Sequence, residues 1–166
     1  MEEETKGIEV LTVEVVIPEK VIVDVVKDKR TRKLMVKLLR KLKKTVQEYV
    51  TSSNVRINES TRYLSFKLSQ LVDIVKPSDR TAFEKLIYLL SRHNIVLVRC
   101  IASTPSMLGP ERIRRNLDLS GSSRDLAEKM LFYTYTTGNE NLRRKRRKYW
   151  YNLIHVFIPV EVKRKD

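Results

Sequence analysis

Between Asp28 and Val50, apolar side chains recur at intervals of three and four, at Met35, Leu38, Leu39, Leu42, Val46 and Tyr49. That spacing predicts an amphipathic helix. Its opposite face carries Lys33, Lys37, Arg40 and Lys44 at the same interval, with Lys41 and Lys43 on the flanks. Upstream the period changes. Residues 8–17 alternate loosely and are rich in β-branched types, which predicts a strand. Val21 to Val26 predicts a second strand, joined to the first by a turn at Pro18-Glu19. A β-hairpin over residues 1–27 is the expectation. Because two strands seldom stand alone, its valines form the expected face for a second copy of the chain, a homodimer.

Downstream, Thr51 to Asn54 breaks the long helix with turn-forming residues, and Tyr63 to Phe66 predicts a short strand. Leu68, Leu71, Val72 and Val75 suit a short helix that ends at Lys76-Pro77, since a proline forces its predecessor out of helical conformation. Ser78 is the expected N-cap of the next helix, whose stripe is Phe83, Leu86, Ile87 and Leu90. Asn94 tolerates the left-handed conformation and closes it. Ile95 to Ile101 reads as a strand, and short helices are expected at 111–117 and 125–135. A loop at 138–141 and a basic run lead to a final strand from Trp150 to Val160. Pro159 lacks a donor, which places the far end of that strand on a sheet edge.

In this order the helix at 28–50, strand 63–66, helix 67–75, helix 78–93, strand 95–101 and strand 150–160 resemble the winged helix-turn-helix family. The resemblance rests on element order and on the segment Val75-Lys76-Pro77-Ser78-Asp79-Arg80-Thr81-Ala82-Phe83. It implies an α+β fold with a winged-helix-like domain over 28–166, in which residues 102–149 form a helical insertion before the last strand. In that family the third helix enters the DNA major groove. Carried onto this chain, the resemblance makes helix 78–93 the groove reader, with Thr81, Lys85, Tyr88 and Arg92 directed outward and Ser78, Asp79 and Arg80 in the first turn, where such helices meet base edges.

Charge adds the identity of a partner class. The chain carries 34 Lys and Arg against 20 Asp and Glu, a formal net charge of +14 over 166 residues. Such a bias gathers polyanions before any specific contact forms. Like charges four apart on a helix repel, so the Lys33, Lys37, Arg40 and Lys44 ridge reads as an anion-binding face that a polyanion would relieve. A plain solvated face is the other reading. Arg143, Arg144, Lys145, Arg146, Arg147 and Lys148 form the densest run, which reads as a nucleic-acid patch or a solvated tail. Tyr149, Trp150 and Tyr151 beside it fit either base stacking or the start of a core strand.

Other chemistry is poorly provided for. Cys100 is the single cysteine, which excludes an internal disulfide and every cysteine-rich zinc arrangement. His93 and His155 lie far apart, the carboxylates are scattered singly, and neither a glycine-rich phosphate loop nor a Gly-x-Ser-x-Gly elbow is present. The expectation is a non-enzymatic protein without metal or cofactor. No apolar run is long enough to span a bilayer, and the acidic Met-Glu-Glu-Glu opening is unlike a basic leader, so a cytoplasmic, nucleoid-associated location is expected. Abundant Lys, Arg, Ile and Val with few Gln matches the bias of proteins from hot-growing organisms. The functional expectation is a sequence-reading, double-stranded DNA-binding protein acting in transcription regulation or DNA organisation. The alternative is an RNA-binding or structural subunit of a nucleoprotein assembly.

Overall fold

In the computed structural model, which describes residues 11–52 and 56–164, the chain begins β1 (Leu11–Val15), α1 (Lys20–Val25), α2 (Lys29–Ser52), β2 (Tyr63–Lys67), α3 (Leu68–Val72), α4 (Arg80–Arg92) and β3 (Leu97–Cys100). It continues α5 (Glu111–Arg114), α6 (Ser123–Thr136), α7 (Glu140–Trp150) and β4 (Ile154–Arg164). The fold is mixed α+β with an open, antiparallel sheet of four strands.

β4 organises that sheet. Ile154, Val156, Ile158, Val160 and Val162 are buried at every second position, the period of a strand with one face on a core. Its first half lies between β2 and β3, so that Val156 faces both Phe66 and Val98. Its second half pairs with β1, where Val160 faces Val15. Pro159 therefore sits inside a paired strand and not at a free end. It falls between the last β3 register pair, at Phe157, and the first β1 pair, at Val160, where no ladder donor is required. Its carbonyl still accepts the Val16 N–H at 2.9 Å.

The expected N-terminal hairpin does not form. Residues 11–15 make a strand, but their partner is β4, and the segment expected to be the second strand is the helix α1. Ile22 and Val26, one turn apart, are both buried, and α1 packs on α2. That burial overrides the strand preference of a valine-rich segment, because tertiary packing outweighs propensity. One edge of β1 is thus filled by the chain itself, which removes the reason for assigning the hairpin to a second copy. Residues 8–10 of the predicted strand, Val10 among them, and Ser53 and Asn54 of the predicted break lie outside the described residues.

α2 follows its expected period. Met35, Leu38, Leu39, Leu42 and Val46 are buried, and the helix packs on α4 and β1. Tyr49 lies at the rim, edge-on to Phe66 with ring centroids 5.2 Å apart. The amino end of α2 is capped by Asp28, whose carboxylate accepts the Thr31 N–H at 2.9 Å. At α4 the N-cap differs from the expected Ser78. A 3-10 turn over Pro77–Asp79 runs straight into the helix, and Ser78 is an exposed residue of that turn. Asn94 closes α4 in the left-handed region with φ 59°, as expected.

The segment 102–149 is part of the core. Leu108, Ile113, Ala127, Met130 and Leu131 are buried in it, and α6 packs along both α4 and β3. The basic run is helical, forming most of α7, and Trp150 ends that helix instead of starting the strand.

Candidate nucleic-acid interface

On α2 the four predicted ridge residues Lys33, Lys37, Arg40 and Lys44 are all exposed. With Lys29, Arg32 and Lys41 they border a shallow trough of about 590 Å³ floored by Val36. The lysine stems cover that valine while their ammonium heads stay in water. Two of the arginines are engaged elsewhere. Arg32 donates to the Val26 and Lys27 carbonyls, both at 3.0 Å, and so fastens the α1–α2 corner. Arg40 donates two hydrogen bonds to Glu19, at 2.8 and 3.3 Å. The bond from Arg40 holds the Glu19 carboxyl below the usual carboxylate range. Lys29, Lys33, Lys37, Lys41 and Lys44 are the cations of the trough without such a partner among the described residues.

α4 presents no comparable face. From Arg80 to Ser91 no residue is exposed, because α2 and α6 pack on the helix and Arg147 reaches it from α7. Tyr88 is directed into the insertion, with its ring centroid 5.6 Å from those of both Phe132 and Tyr135. Ser91 donates to the buried Glu128 at 3.0 Å, and Arg124 donates to the Ser91 carbonyl at 2.7 Å. Thr81 accepts from Arg147 at 3.1 Å. Of the residues expected on the groove-reading face, Thr81 and Tyr88 are turned into internal contacts, Asp79, Arg80 and Lys85 are partly covered, and Ser78 and Arg92, at the two ends, are exposed. The reason is the inserted segment, which occupies the side of α4 that the family resemblance had left open.

The basic run divides by helical position. Arg146 is buried: its Nε donates to the Ile113 carbonyl at 3.1 Å, its Nη1 donates to the Thr137 hydroxyl at 2.6 Å, and its guanidinium lies 5.4 Å from the centroid of the buried Trp150 ring. Arg147 makes two hydrogen bonds of 2.8 Å to the wholly buried Glu84, which also accepts the Tyr151 hydroxyl proton. Burial pulls the Arg147 guanidinium down, and the Glu84 carboxylate more than offsets this, leaving its pKa raised. Burial, then the Glu84 charge, push the Tyr151 phenol far above its ordinary value. Arg143 donates to Glu140 at 2.8 Å and to the Thr137 carbonyl. Arg144, Lys145 and Lys148 are exposed. The three aromatics divide as well: Trp150 is buried with its Nε1 donating to the Leu108 carbonyl at 2.9 Å, Tyr151 is partly covered and donates to Glu84, and Tyr149 is exposed.

Sequence reasoning missed Glu84, although a signal existed. It shares a helix face with Ile87 and Ser91, at three and seven residues, so an acid was placed on the inward stripe and required a cation. Among the described residues no group of three or more His, Cys, Asp or Glu side chains could hold a metal ion, and no helix is long and apolar enough to cross a membrane. Comparison with protein-family models, curated proteins and solved structures finds no match in any of the three.

Proposed function

We propose that this chain binds nucleic acid through the sugar-phosphate backbone, with the lysine ridge of α2 as its contact surface. The observation that carries this reading is the row Lys33, Lys37, Lys41 and Lys44. These side chains follow one another along α2 and have no acidic partner among the described residues, in a chain of net charge +14. At 1.5 Å per residue the row is about 16 Å long, enough to track several phosphates of a duplex strand.

The winged-helix reading of the fold is part of the proposal. It is supported by the order α2, β2, α3, α4, β3, β4 and by the last strand lying between β2 and β3. On this reading the wing has expanded into α5, α6 and α7, and the expansion lies over the groove-reading helix. Contact with base edges through α4 requires α6 and α7 to leave it. Backbone contact does not. Duplex DNA is favoured over unpaired RNA because no aromatic ring lines the α2 trough, so the ridge offers no stacking platform.

Competition binding at low ionic strength tests the reading. Unrelated duplex sequences should displace one another within a few-fold, and rising salt should weaken them all steeply. Failure to bind any duplex would overturn the proposal. An RNA hairpin that outcompetes every duplex would move it to the ribonucleoprotein alternative.

A further inference from the structure

A second basic surface lies away from the α2 trough. A cleft of about 510 Å³ opens where α3, the Pro77–Asp79 turn and α7 meet. Arg80, Arg144 and Lys148 line it, and none of the three side chains has a hydrogen bond or ion pair among the described residues. The Nε of Arg80 is shut off from solvent with no partner, which is costly for a charged donor. Arg147 forms part of the same wall, but its charge is met by Glu84. Of the two carboxylates in the cleft, Glu140 is held by Arg143 at 2.8 Å, leaving Asp73 as the acid that faces three unmatched cations. The cleft therefore carries an unbalanced positive charge, and the positive end of the α4 dipole lies beside it.

We propose that this cleft is a binding site for a phosphate monoester, with Arg80 and Arg144 as hydrogen-bonding forks and Lys148 as a point charge. A dianionic group can accept from all three at once. A volume of about 510 Å³ exceeds a bare phosphate and leaves room for the sugar and base to which it is attached. The same chemistry can come from a free nucleotide or from the phosphorylated end of a nucleic-acid strand. The site does not depend on α2: loss of duplex binding with this binding intact leaves it standing, and the reverse removes it alone.

The test is a two-dimensional amide NMR titration of the full chain with inorganic phosphate, adenosine monophosphate, and a short oligonucleotide with or without a terminal phosphate. Saturable shifts at Ser69, Arg80, Arg144 and Lys148 are expected with each phosphate monoester. Arg144→Gln and Lys148→Gln replace exposed residues and should each weaken binding by about tenfold, the loss of one charge-assisted contact. Arg80→Gln should do the same, and Lys163→Gln, on the far end of β4, should change nothing. Stronger binding of the phosphorylated oligonucleotide than of its hydroxyl form, abolished by Arg144→Gln, identifies a strand end as the source. Equal affinity for the two oligonucleotide forms, with adenosine monophosphate saturating the cleft, identifies the free nucleotide. Shifts that never saturate, or affinities unchanged in all three cleft variants, overturn the proposal.

Discussion

Arg147 holds Glu84 through two hydrogen bonds of 2.8 Å, and this pair, wholly buried on the acidic side, fastens α7 to α4. An acid on the inward face of one helix and a base in the densest cationic run of the chain thus neutralise each other inside the fold.

Replacing Glu84 alone strands a desolvated guanidinium. Glu84→Gln should lower the free energy of unfolding by about 3–5 kcal/mol in denaturant titration, the usual loss when one partner of a buried pair is removed. Glu84→Met combined with Arg147→Met should recover most of that loss, since both desolvation costs then disappear. A single-variant loss below about 1 kcal/mol, the level of a surface pair, would show that the contact fastens nothing.

Within α7, neighbouring arginines should behave oppositely. Arg146→Ala removes the donors to Ile113 and Thr137 and the contact with Trp150, and should cost about 3 kcal/mol while leaving the salt dependence of nucleic-acid binding unchanged. Lys145→Gln, at an exposed position, should stay within about 0.5 kcal/mol of the parent. Thermal melts with parallel anisotropy titrations separate the two effects.

Acid should remove the cap on α2. Hydrogen bonds from the Thr31 side chain and then its amide hold the Asp28 carboxyl below its ordinary value, so its folded pKa lies under the unfolded one. The stabilisation is full above the unfolded pKa and is lost as pH falls through the lower folded value. Asp28→Ala should therefore melt earlier than the parent at neutral pH, and the difference should close in strong acid. A gap that persists at every pH would contradict the capping role.

At alkaline pH the sign reverses. The Tyr151 phenol is held protonated by burial and by the Glu84 charge, so its contribution is complete below the ordinary tyrosine pKa and fades as pH rises toward the higher folded value. Ultraviolet titration should show one tyrosine ionising only as the chain unfolds, and Tyr151→Phe should abolish that late step. A Tyr151 that titrates with the others in the folded protein would refute the buried contact.

Much of this architecture is written in short-range periodicity. The spacing of Met35, Leu38 and Leu42 marks α2, that of Phe83, Leu86 and Leu90 marks α4, and Asn94 marks where α4 stops. Each signal is local, so no knowledge of the rest of the chain is needed. The pairing of β1 with β4 joins opposite ends of the chain and leaves no such trace. In α1, valines that favour a strand are overruled by the burial of Ile22 and Val26. For the candidate site, the α2 ridge was legible because a hydrophobic stripe fixes which face is wet. The run at 143–148 was not, since a row of like residues has no stripe from which to tell Arg146, facing Trp150, from Lys145, facing water. The helical character of the run did have a signal: Asn139 caps it by accepting the Leu142 N–H at 3.1 Å, and Lys and Arg are good helix formers.

The proposed contact between the α2 lysines and phosphates sets the salt dependence of duplex binding. Anisotropy titrations of one labelled duplex over a range of salt should give a steep log–log slope for the parent. For the triple variant Lys33→Gln, Lys37→Gln and Lys44→Gln, the slope should flatten by about 0.9 for each lysine removed. Parallel slopes for the two proteins, with affinity unchanged, would contradict it.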